Sequence, residues 1–313
     1  MPLTVKHHEP LDKHLNFRLG GEAKFFVEVK TLDDVREACA FAQQEHVPYV
    51  VLGGGSNMLV ADEGYDGLVI KMVNRDIVID GATVTAASGA ISSMVARQTA
   101  EAGLTGFEWA ISLPGTIGGA VRGNAGCFGG EMRDNLLSVD VLHDSNIETL
   151  TASDCYFAYR SSVFKTPHRA ADIILSATLR LQPGSVEMAK EKLQRTLAAR
   201  KSTQPLGASS AGCMFKNFEY QDPSVLKKLA ARVSIPADML ERKRIGAGFI
   251  IDTLGLKGVC VGEACVSREH GNFLANIGHA TASDVKKLID KIREQVYAET
   301  GILLEEEVQL IGF

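Results

Sequence analysis

Among the patterns in this chain, the glycine-dense passage SLPGTIGGAVRGNAGCFGGEM at residues 112–132 leaves the fewest folds open. Glycine carries an entropic cost inside helices and strands, so this density does not suit a packed regular element. A mobile surface loop is one explanation, but Ile117, Val121 and Phe128 make the passage too apolar for that. Backbone that wraps closely around a bulky ligand explains the pattern better.

A second glycine cluster lies in VLGGGSNMLV, residues 51–60, after a predicted strand. Successive glycine N–H groups can form an anion-binding nest, to which Ser56 and Asn57 add donors. The pattern is not a dinucleotide fingerprint, which would need glycine in place of Met58, nor a Gly-Lys-Ser/Thr phosphate loop. Alone it is as much a structural turn as a phosphate site. Together with residues 112–132, it indicates a ligand with a pyrophosphate and a large ring system.

The composition is that of an ordinary globular protein, with 45% hydrophobic and 23% charged residues. A length of 313 residues predicts two or three domains. The formal charge of −5 and the lack of a Lys/Arg run argue against nucleic acid as the main partner. The start, MPLTVKHHEPLDKH, has no apolar secretory core, and no stretch approaches the ~18 apolar residues of a membrane span.

The six cysteines are scattered, and none forms a C-x-x-C pair. Without a signal peptide, this pattern predicts reduced thiols in the cytoplasm and not a disulfide framework. Cys260 and Cys265 have no second pair nearby, so we expect no metal site.

Hydrophobic periodicity predicts an α+β chain with many short strands and few βαβ units. TLDD at 31–34 is a capping box that predicts a helix to about residue 44. A second helix is predicted over about 282–299. Its apolar face is formed by Val285, Leu288, Ile289, Ile292 and Val296.

Turn residues divide the remaining chain. Asp80-Gly81 between apolar runs predicts a hairpin, and Gly103 predicts the end of a helix. QPGS at 182–185 predicts a turn and the domain boundary, with Ser185 capping the next helix.

Several stretches, in order, resemble the UDP-N-acetylenolpyruvoylglucosamine reductase family, the flavoenzymes of peptidoglycan precursor synthesis. They are FRLGGEAKFFVEV, VLGGGSNMLV, GFEWAISLPGTIGGAVRGNAGCFGGEM, YRSSVFK, QPLGASSAGCMFKN, GAGFIIDTLGLKGVCVGEACVSREHGNFLANIG and LLEEEVQLIG. Any one fragment is a weak signal, whereas the combination is highly specific.

The resemblance implies a vanillyl-alcohol-oxidase-type (PCMH) FAD-binding domain of two α+β lobes, followed by a smaller α+β substrate domain. With the boundary at QPGS, the FAD-binding domain is 1–184, its lobes about 1–73 and 74–184, and the substrate-binding domain is 185–313. The chain is similar to the shorter of the family's two types, which lacks an extra substrate-covering loop.

The resemblance also implies that NADPH reduces bound FAD, which then reduces UDP-N-acetylglucosamine enolpyruvate to UDP-N-acetylmuramate. We expect a cytoplasmic monomer that has no nucleic-acid partner and no membrane span. The residues implied to hold the FAD pyrophosphate are Gly53, Gly54, Gly55, Ser56 and Asn57. Those implied to wrap the ribityl chain and flavin are Pro114, Gly115, Thr116, Gly118, Gly119, Arg122, Gly123 and Asn124.

Hydride addition to the enolpyruvyl group leaves an enolate, which requires preorganised positive charge and then a proton from an acid in contact. Arg160, in YRSS, matches the family's catalytic arginine, and Glu307, in LEEEV, its catalytic glutamate. A glutamate near a substrate carboxylate must be protonated or close to Arg160, and burial beside a like charge favours the protonated form. Either residue alone would more often belong to a surface ion pair.

Cys213, in SSAGCMFKN, stands where most of the family carries a serine that protonates the carbanion. A thiol, with a reference pKa of about 8.5, is mostly protonated at neutral pH and far more acidic than an alcohol. Cysteine is therefore a sensible replacement for serine. Taken without the motif, a lone cysteine is more often a small buried apolar residue.

Asn217, Lys257 and His270 match family positions that approach the sugar nucleotide. A cation at Lys257 suits the diphosphate, whereas His270 is almost as well explained as a structural histidine. Lys216 could serve substrate or structure. Cys127 replaces the family's usual alanine, which places it near the flavin.

Two other functions are compatible with the same residues. One is an oxidase of the same flavin fold, which would act on a sugar or hydroxy acid and reduce oxygen. The other is a flavin- or nucleotide-binding protein without catalysis, although Arg160, Cys213 and Glu307 together argue against it.

Overall fold

The computed structural model describes residues 3–203 and 209–313, so QPLGA at 204–208 lies outside the described residues. No helix within these ranges is long and apolar enough to cross a membrane. The α-helices are α1 Leu32–Gln44, α2 Ser92–Glu101, α3 Ile117–Gly123, α4 Val186–Thr203, α5 Lys227–Ala230, α6 Ala237–Glu241, α7 Ala247–Thr253 and α8 Ala282–Thr300. Short 3₁₀ helices span Leu11–His14, Glu108–Ser112, Met132–Asp134, Val163–Lys165 and Pro223–Leu226.

The strands are numerous and mostly short, as the α+β pattern predicts. They are β1 Lys6–Pro10, β2 Glu22–Val29, β3 Tyr49–Leu52, β4 Met58–Val60, β5 Tyr65–Met72, β6 Ile77–Asp80, β7 Thr83–Ala87, β8 Leu104–Thr105, β9 Gly126–Cys127, β10 Gly130–Glu131, β11 Leu136–His143, β12 Asn146–Thr151, β13 Ile173–Arg180, β14 Gln182–Pro183, β15 Phe218–Glu219, β16 Arg244–Ile245, β17 Cys260–Val261, β18 Ala264–Val266, β19 Leu274–Asn276 and β20 Gln309–Ile311.

The chain folds as two compact units, each built from segments that are distant in sequence. Helix α4 belongs to unit 1, since Ala189 and Leu193 are buried in that unit's core. Residues after QPGS therefore pack with the strands that precede it. Unit 1 draws its described residues from Met1–Glu9, Ala23–Gly54 and Asp66–Ser202, and unit 2 from Pro10–Glu22, Gly55–Tyr65 and Thr203–Phe313.

Unit 1 contains a four-stranded sheet in the order β1-β2-β5-β3, with β3 and β5 parallel. Helix α1 packs on it through Val35, Ala38 and Ala42, which recur at helical spacing and are buried with the strand residues. The predicted capping box is confirmed, because Thr31 and Asp34 each accept a hydrogen bond from the other's backbone N–H.

The second sheet of unit 1 is antiparallel, in the order β12-β11-β13-β7-β6, and a separate core lies between it and helices α2 and α3. The predicted hairpin joins β6 to β7, where Asp80 pairs with Thr83 and Gly81 has a φ of 55°. Gly103 has a φ of 73° just beyond α2, so the predicted helix end is confirmed.

Unit 2 is built around helices α7 and α8 and the sheet β17-β18-β19. The predicted apolar face of α8 is confirmed, since all of its residues are buried in the unit's core. The C-terminal strand β20 pairs in parallel with β4, which brings the chain end beside the residues that follow the GGGSN loop.

The prediction of a turn at QPGS is wrong for Gln182 and Pro183. Gln182 and Pro183 form strand β14, which pairs with Leu104 and Thr105 of β8. Gly184 continues this contact, because its N–H donates to the Gly103 carbonyl at 2.7 Å. Here the proline ends a strand and the glycine allows two backbone segments to approach closely. In the sequence alone, this pattern looks the same as a turn.

The expectation that all cysteines are reduced is also wrong for one pair. Cys260 and Cys265 form a disulfide across the β17–β18 hairpin, where they are directly opposite with Cα atoms 4.1 Å apart. Their five-residue separation gave no framework signal, but the hairpin register brings the two side chains together. Cys39, Cys127, Cys155 and Cys213 are not part of a disulfide.

Candidate active site

The two glycine-rich loops of unit 1 are packed against each other. A Cβ added to Gly53 would lie 2.4 Å from the Thr116 hydroxyl oxygen, and one added to Gly54 would lie 2.7 Å from the Gly115 Cα. Both distances are shorter than any real Cβ contact, so glycine is required at 53 and 54 for this approach. The predicted cofactor residues after β3 and before α3 are therefore brought together.

Helix α3 presents one packed face and one open face. Ile117, Ala120 and Val121 are buried in the core. On the other face, an added Cβ at Gly119 would meet only the Thr116 hydroxyl, at 3.9 Å, and one at Gly123 would meet nothing within 4 Å. These glycines are one turn apart, so the missing side chains leave a continuous space along the helix.

Two serines of the segment ASGAISS, which the sequence interpretation missed, lie behind the same loop. The hydroxyls of Ser88 and Ser92 are buried and have no hydrogen-bond partner among the described residues. Their backbones hold the loop, since Ser92 donates to the Gly115 carbonyl at 3.1 Å and Ser88 accepts from the Gly118 N–H at 2.9 Å. Buried hydroxyls without partners are costly, which is typical of a site that awaits a polar ligand or water.

The predicted cofactor residues Arg122 and Asn124 bond within the protein. The Arg122 guanidinium donates to the Phe164 carbonyl, and burial lowers its pKa. The Asn124 amide donates to Glu131 Oε2 and to the Ala158 carbonyl, both at 3.0 Å. These side chains thus connect the end of α3 to the segment that carries Arg160.

Arg160 is half-buried in unit 1, and its guanidinium carbon lies 5.6 Å from the centre of the Tyr159 ring. Its backbone carbonyl accepts a hydrogen bond from Lys165 Nζ at 2.8 Å. YRSSVFK is thus a local unit in which the lysine contacts the arginine's own backbone.

The thiol of Cys127, in the glycine-dense passage, donates to the Trp109 carbonyl at 3.3 Å. Burial raises the pKa of Cys127, while the Ser112 hydroxyl and the charges of Arg160 and Arg200 lower it by less. The neutral thiol is therefore the stable form, which disfavours a role as nucleophile.

In unit 2, Cys213 begins a short extended segment whose other side is held by Asn272. The N–H of Phe215 donates to Asn272 Oδ1 at 2.9 Å, and Asn272 Nδ2 donates to the Phe215 carbonyl at 2.8 Å. Asn272 is 2% exposed, and its own carbonyl accepts from Met214 N–H at 2.8 Å. The side-chain amide of Asn272 thus pairs with the backbone of Phe215 in the way that a neighbouring β-strand would.

Glu307 lies on the neighbouring segment, because its N–H donates to the Met214 carbonyl at 2.8 Å. Asn57, predicted to bind pyrophosphate, donates from its amide to the Glu307 carbonyl at 3.1 Å. Lys216 forms an ion pair with Glu305 at 3.0 Å, which favours its structural role. The structure therefore brings Asn57, Cys213 and Glu307 onto adjoining segments of unit 2.

Gly55 and Ser56 also belong to unit 2. Gly55 has a φ of 64°, and an added Cβ would lie 2.0 Å from the His14 carbonyl oxygen. The Gly55 carbonyl accepts from Asn16 N–H at 3.0 Å. This glycine is required by close backbone packing, and Ser56 beside it is half-buried.

Helix α7 brings the predicted substrate residues together. Asn217 Oδ1 accepts from the Ala247 N–H at the start of the helix, at 3.1 Å. Lys257 Nζ is 2.7 Å from Asp252 Oδ2 near its end. Burial lowers the pKa of His270, Asp252 opposes this shift, and Lys257 adds to it. Asp252 and Asn272 were also missed by the sequence interpretation: Asp252 pairs with Lys257 of the same motif, whereas Asn272 bonds to Phe215 in a distant segment.

The tautomer of His270 follows from its local contact. Its Nδ1 accepts a hydrogen bond from the Asn272 N–H at 3.2 Å. The neutral ring therefore carries its proton on Nε2, and the lowered pKa keeps it neutral. A neutral imidazole donor fits a phosphate or sugar oxygen without adding charge.

Comparison with known proteins gives consistent matches over both parts of the chain. Residues 23–151 match the family described as "FAD binding domain", and residues 204–311 match "UDP-N-acetylenolpyruvoylglucosamine reductase, C-terminal domain". The UDP-N-acetylenolpyruvoylglucosamine reductase of Clostridioides difficile (strain 630) is 35% identical over 311 residues, which cover 98% of this chain and 93% of that protein. The protein of the same name from Caldicellulosiruptor bescii is 37% identical over 312 residues, with coverage of 98% and 90%. The crystal structure of UDP-N-acetylenolpyruvylglucosamine reductase from Thermus caldophilus is 31% identical, covers 99% of this chain and 98% of that one, and gives a TM-score of 0.77.

Identity at this level across nearly all of both chains is accompanied by the same fold. The predicted α+β class and FAD-binding domain are confirmed, as is the prediction of an FAD-dependent oxidoreductase of peptidoglycan synthesis. The chain belongs to the UDP-N-acetylenolpyruvoylglucosamine reductase family.

Proposed function

We propose that this chain reduces UDP-N-acetylglucosamine enolpyruvate to UDP-N-acetylmuramate with NADPH as co-substrate, and that Cys213 supplies the proton. The observation that supports the proposal most directly is the backbone hydrogen bond from the Glu307 N–H to the Met214 carbonyl, at 2.8 Å. It places the segment of the proposed acid beside that of the proposed catalytic glutamate. Both segments match the family along their whole length.

Cys213 is the proposed general acid. Its thiol is not part of a disulfide and is half-buried, so it can reach a bound ligand while remaining partly shielded from water. A neutral thiol donates its proton to the carbon that carries the developing negative charge, and a serine would do so less readily because it is a weaker acid. The Asn272 hydrogen bonds to Phe215 restrict the backbone that presents the thiol.

Arg160 and Glu307 are the proposed partners of the substrate carboxylate. The guanidinium of Arg160 offers paired N–H donors in a geometry that suits a carboxylate or an enolate. Glu307 in its protonated form donates to the same group. Preorganised donors of this kind lower the barrier because charge develops where they already point.

The residues of unit 1 fit FAD. The open face of α3 at Gly119 and Gly123 leaves room for a bulky ring, and the Ser88 and Ser92 hydroxyls lack partners among the described residues. We propose that the ribityl chain and flavin are contacted by Pro114, Gly115, Thr116, Gly118, Gly119 and Gly123. Arg122 and Asn124, at the end of α3, complete this side of the proposed cofactor site. Gly53, Gly54, Gly55, Ser56 and Asn57 are proposed for the pyrophosphate. FAD, when bound, supplies the hydride chemistry that links NADPH to the enolpyruvyl group.

Asn217, Lys257 and His270 are the proposed contacts of the sugar nucleotide. Lys257 offers a cation for the diphosphate, and Asp252 holds that cation at 2.7 Å. His270 donates from Nε2. We further propose 1–184 as the FAD-binding domain and 185–313 as the substrate-binding domain, except that helix α4 packs in the core of unit 1. The enzyme would act in the cytoplasm as a monomer.

The test is a turnover assay with the purified protein. We expect a yellow protein that oxidises NADPH rapidly only when UDP-N-acetylglucosamine enolpyruvate is added, with UDP-N-acetylmuramate as the product by mass spectrometry. NADH in place of NADPH serves as the cofactor control.

Two results would contradict the proposal. A colourless protein without turnover would exclude the enzyme hypothesis. Rapid oxygen consumption with a sugar or hydroxy acid, and none of the enolpyruvyl dependence, would instead identify an oxidase.

A further inference from the structure

The backbone of Arg160 is in an unusual conformation. Its φ is 52°, in the left-handed region that residues with side chains rarely adopt. Ala158 and Ser161 exchange two backbone hydrogen bonds of 3.1 Å, so Arg160 is one of the two central residues of a tight turn. A turn position with positive φ usually carries glycine. Such a conformation is energetically unfavourable and persists only where surrounding contacts stabilise it.

Two side chains donate hydrogen bonds to backbone carbonyls of this turn. Lys165 Nζ donates to the Arg160 carbonyl at 2.8 Å. Asn124 Nδ2 donates to the Ala158 carbonyl at 3.0 Å. The carbonyl that begins the turn and that of its strained residue are thus both held by side chains.

The end of α3 binds the same segment further along. The Ser162 hydroxyl donates to the Arg122 carbonyl at 2.6 Å, and the Arg122 guanidinium donates to the Phe164 carbonyl. Ser162 and Phe164 are both buried. Residues 158–164 are therefore attached to α3 along their length.

Both amide N–H groups of Asn124 are used within the protein. The residue is 1% exposed, and its second amide N–H donates to Glu131 Oε2 at 3.0 Å. Its Oδ1 accepts from the Arg133 N–H at 3.0 Å. Asn124 thus serves as a joint between α3, residues 131–133 and the Arg160 turn.

We propose that Lys165 and Asn124 are positioning residues that hold Arg160 in its strained turn, so that its guanidinium is aimed before substrate arrives. The inference rests on the proposed function of Arg160. The proposal gives Lys165, the lysine of YRSSVFK, a positioning role. It also makes Asn124 a support for Arg160, where the family resemblance implied a cofactor contact. Because α3 also carries the open glycine face, the same helix supports both the proposed cofactor site and the arginine.

The main test separates the two half-reactions of the holoenzyme. Lys165→Met keeps the length of the side chain and removes the ammonium group. We expect flavin reduction by NADPH alone to stay within about twofold of wild type. Reoxidation of the flavin by the enolpyruvyl substrate should slow by about 10–100-fold, since misplacing a catalytic group by about 1 Å can lower the rate about 100-fold. Lys286→Met, which removes a half-buried ion pair with Asp290, is the matched control.

A double-mutant cycle shows whether Lys165 acts through Arg160. In an Arg160→Met background, we expect Lys165→Met to cause no further loss in the reoxidation rate. In the same Arg160→Met background, Asn124→Asp should also cause no further loss in the reoxidation rate. Its effect comes from replacing the amide donor by an oxygen that faces the Ala158 carbonyl. Asn146→Asp is its exposed control. Full additivity, or equal slowing of both half-reactions, would overturn the proposal.

Hydrogen exchange gives a measurement that does not depend on activity. Lys165→Met should raise exchange at the Ala158 and Ser161 amides while the core strand β13 stays protected. Unchanged exchange at both amides would overturn the proposal. If Lys165→Met does not fold, Lys165→Gln gives the same comparison, because it also removes the ammonium group and keeps a polar side chain. If wild-type enzyme fails to reduce the enolpyruvyl substrate, the proposed function fails, and the exchange result still decides the role of Lys165.

Discussion

At the scale of single residues, the thiol of Cys213 can be compared directly with an alcohol. We expect Cys213→Ser to retain much of the wild-type rate, because a hydroxyl can still deliver a proton from the same position. Cys213→Ala should lower the rate by about 10²–10⁴-fold, the usual contribution of a general acid. The measurement is flavin reoxidation by the enolpyruvyl substrate in a stopped-flow instrument.

The control for this series is Cys39→Ala, which removes a half-buried free thiol of α1. That variant should keep the wild-type rate. Retained activity in Cys213→Ala would show that another group delivers the proton.

His143 predicts a pH dependence of stability. Its hydrogen bond to Asp172, at 2.6 Å, is the main reason that the pKa of His143 is raised, with Asp144 adding to it and Arg169 opposing it. Glu148 also faces this group, paired with Arg169. The stabilisation is fully present below about pH 6.5, the usual pKa of histidine, and is lost as the pH rises through the higher folded-state value.

Urea unfolding across about pH 6–9 measures this effect around the histidine pKa. We expect the free energy of unfolding of wild type to fall over that range relative to His143→Gln. His168→Gln is the control, and its pH profile should parallel that of wild type. Parallel profiles for His143→Gln and wild type would mean that the Asp172 contact adds no stability.

Sequence identified many of the residues at this scale, but not all of their contacts. Arg160 and Cys213 stand out because their flanking residues form a motif. Asn272 could not be found, because its hydrogen-bond partner Phe215 lies in a different segment, and Asp252 was missed although its ion-pair partner Lys257 lies in the same motif. Asn57 was expected to bind phosphate, and its contact with the Glu307 carbonyl depends on two chain segments far apart in sequence.

At the scale of elements, the start of α8 is stabilised by a capping box. Thr281 Oγ1 accepts from the Asp284 N–H at 3.0 Å, and Asp284 Oδ2 accepts from the Thr281 N–H at 3.0 Å. Asp62 accepts from the next two N–H groups, those of Ala282 and Ser283. Thr281→Ala should lower the free energy of unfolding by about 1 kcal/mol, measured by urea titration. Thr281→Ser keeps the hydroxyl and should differ little from wild type, whereas equal losses in both variants would contradict the capping role.

The β17–β18 hairpin predicts a redox dependence of stability. Closing a loop as short as that between Cys260 and Cys265 stabilises the folded state by about 2 kcal/mol in the chain-entropy description. We therefore expect a reductant to lower the free energy of unfolding of wild type by that amount. The Cys260→Ser, Cys265→Ser double variant should be insensitive to the reductant. Mass spectrometry of the oxidised protein that finds both thiols free would contradict the disulfide.

At the scale of the whole molecule, FAD should be a measurable part of stability. A ligand that binds only the folded state at 100 times its dissociation constant adds about 2.7 kcal/mol. We expect thermal unfolding of the apoprotein to shift upward when FAD is added. Gly123→Leu should leave apoprotein stability unchanged, because the position faces open space, and should abolish the FAD-dependent shift. A full shift in that variant would show that the open face of α3 is not part of the cofactor site.

Local sequence determined the elements of this protein, because caps, hairpin glycines and apolar periodicity act over a few residues. The capping box at Thr31, the Asp80-Gly81 hairpin and the apolar face of α8 follow from these short-range preferences. Motif resemblance added the family and the residue types of the chemistry.

Tertiary structure alone decided which segments meet. The compact units combine distant parts of the chain, QPGS begins in a strand because β8 offers it a partner, and Cys260 faces Cys265 because of the hairpin register. The turn that holds Arg160 depends on Asn124, which is far from it in sequence. Hydrogen bonds of this kind depend on distance in space, and a single sequence records only distance along the chain.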